Sequence, residues 1–469
     1  MTLKTRQIIA YTFIISFLIA APILVLYGNG YRFDIKNWKI QKTGIIFLTS
    51  NQADVSVYLN DKLYGEKINN KNLSVKNFLP GDYIVRAEKD GYTAWQKKLT
   101  VASGKAVFTD EILLMKKSIP FNIVSGKIQW VNFSNNQKMA VYFIRNASSN
   151  EIWLYNLANK QSTLLYKISS INSSTEAAIS WSHNDAKILL NIKNGNKNNY
   201  SIININKPDQ IVSLADLSQK SFSKLKWSDD SDNIIYGILG NKLNKISLED
   251  QKPNLLLNLE IGPKDTLDDY LIDSENVYYI RTDKNNSFVI EQKLNDPSGN
   301  AWMIKLPRSE NCSFVRGNNQ YLSILSTKDE NLFLFKKDFF QNIALTPENN
   351  NSIIKLKARG ASWQPQSNRL LFYNDFEIWV DDLDNDDQKL IARYSEKIGE
   401  VIWHPDYAYI IGLIGQDVKI FEINGTERNI NSLINLKIIQ NLKIDPLGEK
   451  LYFISEIGHQ EGLYAMDVK

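Results

Sequence analysis

The chain has 469 residues, of which 43% are hydrophobic, enough to bury two or more cores or one large repeated core. Its 55 basic and 51 acidic residues leave a net charge of +4, and the basic residues are scattered rather than striped, which gives nucleic-acid binding no electrostatic footing. Cys312 is the only cysteine, which excludes an intramolecular disulfide and a thiolate metal cluster, and His183, His404 and His459 lie far apart in sequence; no metal and no cofactor is expected.

MTLKTRQ, with Lys4 and Arg6, precedes the uncharged run IIAYTFIISFLIAAPILVLY from Ile8 to Tyr27. Those 20 residues span the roughly 30 Å of a bilayer's hydrocarbon layer at about 1.5 Å per residue. They predict a transmembrane anchor over residues 1–30, with a cleaved signal peptide as the rival reading and Gly28 and Gly30 as its cleavage site. Arg32, Lys36, Lys39 and Lys42 offset Lys4 and Arg6 in a count of positive charges, so charge alone does not orient the span. The short leading tail leaves the folded mass beyond the span, on a side read as extracytoplasmic, with residues 31–42 as a linker.

From Thr43 the texture changes to alternation and turns. GIIFLTS, VSVYLN, YIVRAEKD and WQKKLTV are short β-rich runs separated by turn signals such as Pro80-Gly81 and Asp90-Gly91, which predicts a small antiparallel sandwich over residues 43–114. Gly65, Pro80-Gly81 and Gly91-Tyr92 stand where the PEGA domain family has its glycine, its Pro-Gly turn and its Gly-Tyr strand end, so this stretch resembles that family. The naming tetrapeptide is replaced by Asn51-Gln52-Ala53-Asp54. The resemblance implies a surface-protein module without known catalysis, in which Tyr92 and Trp95 are core or edge aromatics.

The remaining residues repeat. Phe133, Trp181, Trp227, Ile272, Val315, Trp363, Trp403 and Ile444 each end an apolar strand, precede a polar turn and lead into a second apolar strand, at steps of 40 to 48 residues. That period is the size of a four-stranded propeller blade. EIWLYNL at 151–157 and EIWVDDL at 377–383 fall in the third-strand slot of their blades, so the phrase recurs because the blade recurs. The final repeat lacks a fourth strand, and IPFNIVS at 119–125 is left over to supply it and cover an edge that would otherwise be open. The fold class is therefore all-β, an N-terminal transmembrane helix, a small β-sandwich and an eight-bladed β-propeller over 119–469, with seven blades as the alternative. Trp181-Ser182, Trp227-Ser228-Asp229 and Asp445-Pro446-Leu447-Gly448 are fragments of the turn that TolB-type propellers carry, and this region resembles them. The resemblance implies fold and not activity.

Candidate chemistry is sparse. No G-x-S-x-G nucleophile elbow occurs. Asp382 to Asp387 has the alternating carboxylates of a calcium loop but neither its glycine nor its terminal glutamate, which favours a solvated hairpin turn. His183 and His404 fall in first-to-second-strand turns and are assigned to the surface. The loops from second to third strands are polar in several blades, and Arg145, Lys193, Lys197, Arg281, Lys284 and Lys328 would ring the face they share, which would suit an envelope protein or an anionic wall polymer. The expected function is a non-enzymatic, membrane-anchored envelope protein that presents a propeller for binding a protein or surface polysaccharide. The alternative is a propeller lyase or glycosidase acting on such a polysaccharide.

Overall fold

A computed structural model describes residues 3–469 apart from 36, 70, 110, 147–148, 169–175, 196, 215–221, 251, 296–300, 341–352 and 426–427. Lys36 and parts of the loops at 145–150 and 193–199 thus lie outside the described residues. The chain divides into two compact units, one of Met1–Ile119 with Phe421–Leu433 and Asp467–Lys469, the other of Pro120–Ile420 with Ile434–Met466.

In the first unit, α1 (Leu3–Gly28) takes in the whole apolar run, and none of its 26 residues is buried. The stretch expected as a linker is instead a two-stranded antiparallel hairpin, β1 (Tyr31–Asp34) and β2 (Lys39–Lys42). The next strands are β3 (Gly44–Thr49), β4 (Ser56–Leu59), β5 (Lys62–Leu63), β6 (Asn72–Phe78), β7 (Gly81–Glu88), β8 (Trp95–Val101) and β9 (Ala106–Phe108). They form two sheets in the orders β5-β4-β7-β8 and β6-β3-β9, all antiparallel except the parallel pair β3 and β9. The alternation read from the sequence is the alternation of burial: Ile46, Leu48, Val57, Val85, Ala87, Leu99 and Val101 point into one core, which Trp95 enters and Tyr92 packs against. Asn51, first residue of the substituted tetrapeptide, is buried and pins the turn with its side chain. Its Nδ2 donates to Leu114 O (3.1 Å) and its Oδ1 accepts from Leu114 N (3.0 Å).

From Pro120 onward, eight four-stranded sheets occur among the described residues, at 128–168, 176–213, 223–258, 266–307, 312–357, 360–393, 398–435 and 439–467. We number these blades 1 to 8. Seven take their four strands in chain order; blade 8 takes three and is completed by β10 (Phe121–Ser125), which pairs antiparallel with the last strand (Gln460–Asp467). Each register mark stands within one residue of the end of its blade's first strand, the strand nearest the propeller axis. Two propeller strands have no counterpart among the runs expected from the repeat: Lys242–Ser247, the third strand of blade 3, and Ile430–Asn435, the outer strand of blade 7.

Both faces of a blade are buried, so its middle strands are apolar on both sides. In blade 4, Val277 and Tyr279 face blade 3 while Tyr278 and Ile280 face blade 5. The tryptophans add a directional tie. Trp181 Nε1 donates to Asn132 Oδ1 (3.1 Å), Trp227 Nε1 to Ser180 O (3.0 Å) and Trp403 Nε1 to Ser362 O (3.1 Å), each time the residue before the preceding blade's mark. Trp363 Nε1 donates instead to the buried Ser323 Oγ (2.8 Å). The repeated phrase also repeats its contacts. In both copies the indole donates to the glutamate two residues earlier, Trp153 to Glu151 (3.0 Å) and Trp379 to Glu377 (3.1 Å), and the ladder to the outer strand shifts register at the same step.

Candidate functional site

First-to-second-strand turns gather at one mouth of the propeller, and three adjoining cavities open there, of about 900, 530 and 310 Å³. Asp229 and Arg316 line all three. Asp229 lies two residues past the Trp227 mark of blade 3 and Arg316 one past the Val315 mark of blade 5. Arg316 Nη1 meets Asp229 Oδ1 at 3.1 Å, so the pair reaches past blade 4.

Beneath that pair, Asp269 of blade 4 joins three blades. Its Oδ1 takes the Lys226 ammonium of blade 3 and its Oδ2 accepts from Phe314 N of blade 5 at 3.0 Å. Lys226 also donates to Tyr270 O (2.6 Å) and lies 4.8 Å from the Tyr270 ring centroid. Burial pulls the Lys226 ammonium below the usual lysine range, against the opposing attraction of Asp269. The Tyr270 hydroxyl is buried without a hydrogen-bond partner among the described residues, and burial first, then Asp269, push it well above the usual phenol range.

Around the largest cavity the turns at 316–320 and 365–368 supply an arc of amides and hydroxyls: Asn318, Asn319, Gln320, Gln366, Ser367 and Asn368. Asn368 Nδ2 donates to Asp384 Oδ1 (2.7 Å), and Asp273 pairs with Lys337. Each of the three carboxylates that line the cavity is thus held by a cation or an amide. The turns are linked from blade to blade, since the Asp185 carboxylate accepts the backbone N–H of Asn135 (2.7 Å) and Asn136 (2.9 Å).

The six cations expected to ring a binding face sit at the other end of the blades, several of them with partners there. Lys193 meets Glu176 Oε2 at 2.9 Å, Lys328 pairs with Glu310, and Arg281 Nη1 donates to Glu260 O (2.9 Å) with its Nε 3.6 Å from Asp265 Oδ2. Arg145 lies 5.8 Å from the Phe143 ring centroid, and Lys197 and Lys284 are exposed. The Asp382 to Asp387 segment is the hairpin between the third and outer strands of blade 6, with Asn385 Nδ2 on Asp382 Oδ2 (3.0 Å). No group of three or more His, Cys, Asp or Glu is arranged to hold a metal among the described residues. His183 is exposed as expected, but His404 is not: it is 4% exposed, its Nδ1 is 2.9 Å from Asp406 Oδ1 and its Nε2 abuts Gly448 of blade 8. Gly448 has φ of 66°, and a Cβ there would lie 2.7 Å from that nitrogen, so close packing between turns buries the imidazole.

Residues 43–113 match the PEGA domain. No curated protein matches the sequence. Among solved structures, the chain is similar to the Dos1 propeller at 11% identity and a TM-score of 0.51, over 75% of this chain and 95% of that one. Oligogalacturonate lyase in complex with manganese aligns at 11% identity and a TM-score of 0.41, over 74% of this chain and 98% of that one. Likeness at this identity is a likeness of fold, and the second is too loose to bear on activity.

Proposed function

We propose that the protein is a membrane-anchored, extracytoplasmic binding protein, a PEGA-type module followed by a TolB-type propeller. It acts without catalysis, by holding a cell-surface polysaccharide at the mouth formed by the first-to-second-strand turns. The observation that carries this reading is the convergence of three cavities on Asp229 and Arg316. The volume of about 900 Å³ is that of a ligand site. Its carboxylates are each held by a cation or an amide, whereas its rim is rich in amides and hydroxyls. Such a rim offers alternating donors and acceptors to a neutral, hydroxyl-rich chain rather than a field that selects an ion. The apolar α1 supports the anchor, and the PEGA match supports placement at a cell surface.

The test is a glycan array, with neutral and anionic glycans, probed with the detergent-solubilised full chain. Binding to neutral glycans is expected. Arg316→Ala and Asn368→Ala should each weaken it about tenfold, the size of one lost charged or buried hydrogen bond, while Lys193→Glu and Arg281→Glu leave it unchanged. Binding confined to anionic glycans and lost in the last two variants would move the site to the opposite loops. Binding to no glycan would leave a protein as the ligand.

A further inference from the structure

The hairpin of β1 and β2 presents an apolar surface that no other described residue covers. Phe33 and Ile40 are cross-strand partners and share one face; both are exposed. Ile35 and Trp38 occupy the turn, 77% and 82% exposed, with Trp38 at a φ of 52°. Phe33 and Trp38 meet edge to face with ring centroids 5.8 Å apart, so the two aromatics form one patch. The hairpin's one carboxylate is withdrawn from it. Asp34 is buried, and its oxygens accept from Asn37 Nδ2 (2.7 Å) and Gln41 Nε2 (2.8 Å). Lys39 and Lys42 remain exposed.

The position of this patch is fixed by the chain. Only Asn29 and Gly30 separate the end of α1 from the hairpin. Arg32 ties the two together, its Nη1 donating to Tyr27 O (2.8 Å) and its guanidinium lying 3.5 Å from the Tyr27 ring centroid. Tyr27 ends the apolar run, where an aromatic sits at the boundary between acyl chains and headgroups. A patch of tryptophan, phenylalanine and isoleucine on the hairpin that Arg32 ties to that residue, with lysines beside it, has the chemistry of an interfacial anchor. Exposed large apolar residues grouped in this way mark a contact surface.

We infer that the hairpin 31–42 is a second membrane contact, a wedge that inserts Ile35 and Trp38 among the headgroups of an anionic bilayer while Lys39 and Lys42 pair with lipid phosphates. This rests on the reading of α1 as a membrane span. Lysines near such a surface are attracted by its anionic headgroups, so the pair makes the contact sensitive to lipid charge.

The full chain, carrying Cys312→Ser, is reconstituted in nanodiscs of phosphatidylcholine with or without phosphatidylglycerol. An environment-sensitive fluorophore is placed at Ile35→Cys, at Phe17→Cys in α1, or at Leu447→Cys, an exposed turn residue of blade 8. The expected result is that the probe at 35 is quenched by shallow lipid-borne spin label and protected from aqueous dithionite, more so with phosphatidylglycerol. Lys39→Glu with Lys42→Glu should abolish that gain. If the probe at 35 is reduced as fast as the probe at 447 while the probe at 17 is quenched deep in the bilayer, the anchor stands and the wedge is overturned, leaving a protein partner to cover the patch. Protection at 35 that is equal in both lipids overturns the preference for an anionic headgroup layer. Loss of lipid quenching at 17 overturns the span and the wedge together.

Discussion

Cys312 stands in the first strand of blade 5 and is 3% exposed, and burial pushes its thiol up to about 12, with Asp268 adding to the shift. The folded thiol therefore keeps its proton where the unfolded one, near 9, has lost it. Its contribution to stability is complete below pH 9 and is lost as pH rises towards 12. Native protein at pH 8 is expected to resist a thiol reagent that reacts fully in denaturant; prompt native labelling would show that blade 5 opens locally. Trp363 makes a second residue-scale case. Its indole N–H ends on a buried hydroxyl, Ser323 Oγ, whereas Trp403 ends on a backbone carbonyl, Ser362 O. Trp363→Phe strands that hydroxyl and should lower the unfolding free energy by about 1–3 kcal/mol in denaturant titration. A loss below 0.5 kcal/mol, on the order of an exposed substitution, would mean Ser323 is satisfied by its bond to Val315 O (3.0 Å) alone.

The closing strand is where one backbone must come nearest another. Gly462 faces β10 so closely that a Cβ on it would lie 2.3 Å from Val124 O, a main-chain atom that moves only if the strand moves. Gly462→Ala should therefore displace β10 and cost about 1–3 kcal/mol, as overpacking does. Val124→Pro, which breaks the same ladder from the other side, should lower the melting temperature more than Ile211→Pro in the outer strand of blade 2. Equal shifts for the two proline variants would show that β10 is merely an outer strand and not the closure. These elements also mark how far the sequence could be read. The blade register and the leftover segment at 119–125 were legible because strand periodicity and turn chemistry are local. The hairpin at 31–42 was not, because its turn carries Ile, Asn and Trp in place of Gly or Pro, and neither was Ile430–Asn435, which is polar enough to pass for loop. Asp229 and Arg316 escaped because 87 residues and a whole blade separate them. The marks themselves held the signal, since residues one or two past the first six marks, Asn135, His183, Asp229, Asp273 and Arg316 among them, line the cavities. The cations at the far end were conspicuous in sequence, but their carboxylate partners, such as Glu176 and Glu310, lie on other strands or loops and are invisible to composition.

For the whole molecule, α1 is expected to stay attached. After alkaline carbonate extraction the protein should remain in the membrane pellet, and its intact mass should include Met1 to Tyr27; a mature N-terminus near Tyr31 would identify α1 as a cleaved leader and remove the base of the wedge. The closing strand has a further consequence, in time rather than in space. Asn122 pairs with Tyr464, so the partner is made only with the 342nd residue after it, 464 − 122. At about 5–20 residues per second, β10 waits roughly 20–70 seconds after synthesis for the strand it completes. Blades 1 to 7 can form as they emerge, while β10 remains an unpaired edge of Phe, Ile and Val until the end. A growing chain in that state is a substrate for any holdase that reads extended apolar segments, and its release is gated by the last blade. Arrest of translation before residue 460 should leave β10 protease-sensitive in a chain whose middle blades already resist digestion.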